Sequence, residues 1–272
     1  MVTKTEALYR ALLKKKVVSF DDVVQAASNI IDTDTLNRRY VYRKYVDRMV
    51  KSGKLRKVRK SLYVVLSPLE EPNKHTPDKL LIASKIRDEY YLGFHTALEY
   101  YGCASSFYNE TYIGVKPKHR FDGFKYKRFS FRPVFAKDVK LEVEEKSYRE
   151  NILKVSSRER TFIDCVYRVN YAGGWEECIK SLEGLSRLKV EKLPEILHHY
   201  RNDLLSRRVG YVLELLRERS PFYQDVTEQV LNTIRKQITG PPRYLIQKEN
   251  GTLNKRWKLY VPEDFEKRLR GI

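Results

Sequence analysis

The chain has 272 residues, 54 Lys+Arg against 35 Asp+Glu, and a formal charge of +19, so a polyanionic partner is favoured, nucleic acid or an anionic membrane surface. An apolar content of 42% excludes wholesale disorder, and the length suits one large domain or two smaller ones. No apolar run approaches the roughly 20 residues that span a bilayer, the N-terminal MVTKTEALYRALLKKK has no signal-peptide core, and Cys103, Cys165 and Cys178 form no CxxC; the expectation is a cytoplasmic protein with reduced thiols and no membrane partner.

Residues 1–68 hold 16 Lys+Arg and 6 Asp+Glu, a net of +10, whereas the other 204 residues carry 38 against 29. Half of the excess therefore sits in a quarter of the chain. Thr3 to Lys15 places Ala7, Leu8, Ala11 and Leu12 at helical spacing. After Val17-Val18, Ser19 is a predicted N-cap with Asp21 and Asp22 in the first turn, and Val23, Val24, Ala26 and Ala27 supply the apolar side of a second helix. Thr33, Asp34 and Thr35 offer a cap for a third helix that runs to Ser52 and stops at Gly53.

At 100° per residue, Tyr42, Tyr45, Val46, Met49 and Val50 form one side of that third helix, and Thr33, Asn37, Tyr40, Lys44, Arg48 and Lys51 the other. The second side combines amide, hydroxyl, phenol and cationic donors, the chemistry that reads base edges and phosphates. Two short strands follow, Leu55–Val58 and Ser61–Leu66, turning around Arg59-Lys60, with Leu62 and Val64 expected to point inward. Three helices and a basic hairpin predict an N-terminal winged helix-turn-helix on double-stranded DNA. Lys54, Arg56, Lys57, Arg59 and Lys60 would be phosphate contacts of the wing.

SPLEEPNKHTP, with three prolines, reads as a linker over 69–77. A helix is expected from Asp78 to Tyr90 and a shorter one in GFHTALEYYG. The alternating aromatic segments ETYIGVK and FKYKRFSFRPVF predict strands of a small antiparallel sheet, and residues 116–140 carry nine Lys/Arg against two Asp, a second basic surface. The fold class expected is α+β, the winged helix followed by a mixed α/β domain with that sheet and several helices.

VSSRERTFIDCVYRVNYAGGWEECIKSLEGL (155–185) and LLSRRVGYVLELL (204–216) resemble the AbiEi family, antitoxins of abortive-infection toxin–antitoxin systems used in phage defence. The resemblance covers most of residues 1–220, leaving an antitoxin domain at 78–220 and an extension at 221–272. It implies a transcriptional regulator that represses its own operon and counteracts a nucleotidyltransferase-type toxin. Read physically, Ser156-x-x-Glu159 is a capping box, Phe162, Cys165, Val166 and Val169 an apolar face, and Gly210 a point of close approach. Arg158, Arg160, Glu176, Glu177, Arg207 and Arg208 make an exposed remainder that a partner could face. In the extension, Asn250-Gly251 predicts a type I′ hairpin seated by Trp257, Leu259 and Val261.

Three functions fit: the DNA-binding antitoxin, a metal-dependent nuclease, and a regulator with no toxin partner. The nuclease would use Asp138 with the E-x-K of Glu144 and Lys146, where carboxylates must converge on one metal. That triplet is common by chance in a chain that is 33% charged. His75, His95, His119, His198 and His199 have no zinc-ligand spacing, and there is no P-loop. No catalytic residue, metal or cofactor is therefore expected. A homodimer, or binding in pairs, would make the operator an inverted repeat.

Overall fold

A computed structural model describes residues 2–30, 37–71 and 74–270. Helix α1 (Lys4–Leu13) opens at Thr3, whose hydroxyl accepts the Glu6 N–H. Strand β1 (Val17–Ser19) leads into α2 (Phe20–Ser28), and Ser19 and Asp22 form a reciprocal capping box at the junction. The predicted Thr33–Thr35 cap lies outside the described residues. The third helix instead starts at Asn37, whose Oδ1 accepts the Tyr40 N–H at 2.7 Å. It runs as α3 (Arg38–Val41), a π turn (Tyr42–Val46) and α4 (Asp47–Lys51).

Strands β2 (Leu55–Arg59) and β3 (Leu62–Val65) pair antiparallel, and β1 completes a sheet of order β1-β3-β2. All four residues of β3 are buried. Tyr63 and Val65 join Leu8, Leu12, Val23 and Met49 in the core of the N-terminal part. Leu62 and Val64, expected to point into that core, point the other way and pack with Leu66 on Leu80, Ile82, Ile113 and Leu153. The hairpin is thus sandwiched between the helices before it and the sheet after it.

That sheet has six strands in the order β6-β7-β5-β4-β9-β8: β4 (Tyr91–Leu92), β5 (Glu110–Val115), β6 (Phe124–Tyr126), β7 (Phe129–Phe135), β8 (Val143–Tyr148) and β9 (Asn151–Ser156). The β5/β7 and β4/β9 pairs are parallel and the others antiparallel, so the sheet is mixed where an antiparallel one was expected. Helices α5 (Lys79–Ser84) and α6 (Phe94–Tyr100) precede and interrupt it. A helical layer follows: α7 (Arg158–Tyr167), α8 (Trp175–Glu183), α9 (Leu193–Tyr200), α10 (Asp203–Arg219) and α11 (Glu228–Arg235). The chain then adds β10 (Arg243–Tyr244), β11 (Thr252–Asn254), β12 (Leu259–Val261) and α12 (Phe265–Arg270).

Residues beyond 220 share the core of α7–α10. Trp257, Leu259 and Phe265 are buried with Phe162, Cys178 and Val209. The Trp257 ring lies on Gly210, where an added Cβ would sit 2.1 Å from Cζ3. Two turn assignments move. The β11/β12 hairpin turns at 255–258, with Lys258 at φ +48°, instead of at Asn250-Gly251. The α7 cap is Ser157, which accepts the Arg160 N–H, because the Ser156 hydroxyl is engaged with Thr161 and the Glu159 carboxylate with the Lys189 N–H. The three cysteines are free thiols.

Candidate nucleic-acid interface

The π turn decides which side chains the third helix exposes. Widening one turn rotates the later residues relative to an ideal 100° wheel. Val41, Tyr45, Val46 and Met49 are buried, whereas Tyr42 and Val50, expected in the core, are 45% and 37% exposed. On the open side, Asn37, Arg39, Tyr40, Arg43, Lys44 and Arg48 line one shallow concavity. Four of these were expected from the sequence. Arg39 and Arg43 were not, because a uniform 100° wheel sets them opposite Asn37, Lys44 and Arg48.

Charge on this face is largely uncompensated. Arg39, Arg43 and Arg48 have no carboxylate partner among the described residues. Lys44 donates a hydrogen bond to the Tyr40 hydroxyl, which holds the phenol below its usual range and the ammonium above its own. Burial pushes the neighbouring Tyr45 phenol upward. At the margins, Arg38 pairs with Asp21 at 2.6 Å and lies over Phe20, and Lys51 pairs with Asp47 at 2.7 Å. Asn37 already accepts the Tyr40 N–H through its amide oxygen, so one of that oxygen's two acceptor positions is spent on the helix cap. Thr33 is outside the described residues.

The hairpin residues expected to contact phosphates are not equivalent. Lys57 and Lys60 are exposed and without a carboxylate partner among the described residues, and Arg56 is half-buried. Lys54 donates to Glu6 at 2.5 Å and lies over the Tyr9 ring. Arg59 lies over Phe124 and Phe121, at 4.7 and 5.8 Å from the ring centres, and burial lowers its pKa. Those two cations tie the hairpin to α1 and to the six-stranded sheet.

The carboxylates of the nuclease reading do not gather. Glu144 and Lys146 pair with each other at 2.6 Å on the edge strand β8, and one Asp138 oxygen accepts the N–H groups of Lys140 and Leu141. Among the described residues no group of three or more His, Cys, Asp or Glu is placed to hold a metal. Arg160, Glu177 and Arg207, expected on the partner-facing surface, are buried. Helical spacing alone could not show that loops fold over them.

The geometry defines a mixed α/β protein with several small sheets and a basic helical face near its N-terminus. Among the described residues no helix is long and apolar enough to cross a membrane. No family model and no curated protein matches the sequence. Among solved structures the chain is similar to the crystal structure of RV2827C protein from Mycobacterium tuberculosis, with a TM-score of 0.64 over 99% of this chain and 95% of that one, at 12% identity. At that identity the likeness is one of fold.

Proposed function

We propose that the chain is a DNA-binding antitoxin that represses its own operon through residues 1–68, acting as a winged helix-turn-helix. One observation carries the DNA half: Arg39, Arg43, Lys44 and Arg48 stand on one exposed helical face with no carboxylate among the described residues to neutralise them. Such a helix fits a major groove about 12 Å wide, with the cations near phosphates and Tyr40 within reach of base edges. The β1-β3-β2 sheet, with β1 between α1 and α2 and the β2/β3 hairpin after the third helix, supports the winged-helix assignment, and Lys57 and Lys60 supply wing contacts to the backbone. A homodimer would set two such helices on an inverted repeat. The antitoxin half rests on the AbiEi resemblance of 155–185 and 204–216, which assigns a nucleotidyltransferase-type toxin as the second partner.

The experiment is a salt titration of binding to the chain's own promoter fragment, comparing the native chain with the Arg43→Ala/Lys44→Ala double variant. Both positions are exposed, so folding is spared. The expected result is a loss of about tenfold or more in affinity and a log–log salt slope shallower by roughly 2. Unchanged affinity and slope would refute the assignment. Copurification with the product of a neighbouring nucleotidyltransferase frame tests the second half; promoter binding without it leaves a regulator with no toxin partner.

A further inference from the structure

A cleft of about 850 Å³ opens between the end of β7 and helices α7 and α9, and no residue of the N-terminal part lines it. Its floor is a buried ion pair. Arg160, 2% exposed, donates Nε–H to Asp164 at 3.2 Å, and its two terminal nitrogens donate to the carbonyls of Leu141 and Asp138. The hydroxyls of Tyr91 and Tyr200 donate to the same Asp164 carboxylate at 3.0 and 2.6 Å. One guanidinium–carboxylate pair therefore fixes three segments of the rim: the 136–141 loop, the end of α7 and the end of α9.

Those segments present cations. Lys137, Lys140, Arg168 and Arg201 line the cleft, and none has a carboxylate partner among the described residues. Asp138, the other acid lining it, already accepts two backbone N–H groups through one oxygen. The floor is electrically satisfied while the rim is not, and a rim held in place in advance loses little on capturing an anion. Aromatic surface accompanies the charge, with the Phe135 ring 44% exposed at the edge and Tyr167 half-buried beside Arg168.

We propose that this cleft is a nucleotide-binding site, with phosphates held by the rim lysines and arginines and the base stacked on Phe135. The volume falls within the roughly 300–1,000 Å³ typical of small-ligand sites. A free nucleoside triphosphate and the end of a single strand share this chemistry. The site is separate from the helical face assigned to duplex DNA and does not rest on that assignment.

The test is calorimetric titration of the full chain with each of the four ribonucleoside triphosphates, with inorganic phosphate, and with a single-stranded oligothymidylate. The expected result is saturable binding of a nucleotide probe, at least about tenfold tighter than phosphate. The exposed-rim variant Lys137→Ala/Lys140→Ala should weaken it by about tenfold or more. Phe135→Ala should weaken nucleotide binding and leave phosphate unchanged. Binding of a triphosphate identifies a free nucleotide, and binding of the oligomer alone identifies a strand end. Three results overturn the proposal: no saturable binding of any probe at millimolar concentration, phosphate binding as tightly as nucleotide, or binding lost in Arg43→Ala/Lys44→Ala but retained in Lys137→Ala/Lys140→Ala.

Discussion

Arg207 lies on the amphipathic helix α10, yet its side chain is fully enclosed. A guanidinium can occupy such a place only if nearly every N–H finds an acceptor. Here Nε–H goes to Asp203 at 2.8 Å, and the terminal nitrogens reach the carbonyls of Lys258 and Thr239. Arg207 therefore pins the segments before and after β10 onto α10, and Trp257 closes over Gly210 one turn along the helix. Glu177 is satisfied in the same way, accepting from Ser106 and Ser181 and facing His95. Arg207→Ala would leave the Thr239 carbonyl without its donor, while Asp203 keeps the Thr239 N–H and the Lys258 carbonyl keeps the Arg243 N–H, and should cost about 1–3 kcal/mol. Urea unfolding followed by the fluorescence of Trp175 and Trp257 measures it; a change below about 1 kcal/mol would show that carbonyl finding another donor.

Among the elements, the third helix shows how one local irregularity sets which side chains a helix exposes. Its start depends on Asn37, so Asn37→Ala should lower stability by about 1 kcal/mol, whereas Asn37→Asp, which keeps the acceptor, should be nearly neutral. Equal losses in both variants, read by thermal unfolding, would mean that the side chain serves some purpose other than capping. The Ser19 cap and the Leu8/Leu12 spacing of α1 were legible in the sequence because each is a local signal, although Tyr9 is buried there and Ala11 is exposed. The π turn was not: widening by one residue leaves no mark in composition, so a uniform wheel placed Tyr42 and Val50 inside and passed over Arg39 and Arg43. Strand β8 was missed for a related reason. VEEKSY has few apolar residues to alternate, since an edge strand buries little. In β3 both faces are buried, and alternation then fixes the two sides but not which side faces which core.

At the scale of the whole molecule, the linker expected at 69–77 does not separate two independent bodies. Val17, Leu62, Val64 and Leu66 share a core with Leu80, Ile113 and Leu153. Removing residues 1–68 would therefore expose apolar surface on the sheet, and point variants are the cleaner test of DNA binding. Leu62→Ala should cost about 2–5 kcal/mol and lower amide-exchange protection on both sides of the junction; loss confined to residues 1–66 would show that the contact carries little energy. A polar tie reinforces this junction. Asp22, in the cap of α2, accepts from Lys85 of the following region and from Lys15, both at 3.1 Å. Burial pushes its carboxyl pKa upward, but the Ser19 N–H, Lys85 and Lys15 more than offset that and hold it below the usual value. A carboxyl depressed in the folded state contributes stability that is complete above its unfolded pKa, about 4, and is lost as pH falls through the folded pKa. Acidification should therefore loosen the junction before the apolar contacts fail. Denaturation midpoints at pH 7, 5 and 3 should fall more steeply for the native chain than for Asp22→Asn, which lacks the titrating group. Parallel declines in the two proteins would place the acid sensitivity at other carboxylates and leave the coupling of the N-terminal part to the body with Leu62 and Val64 alone.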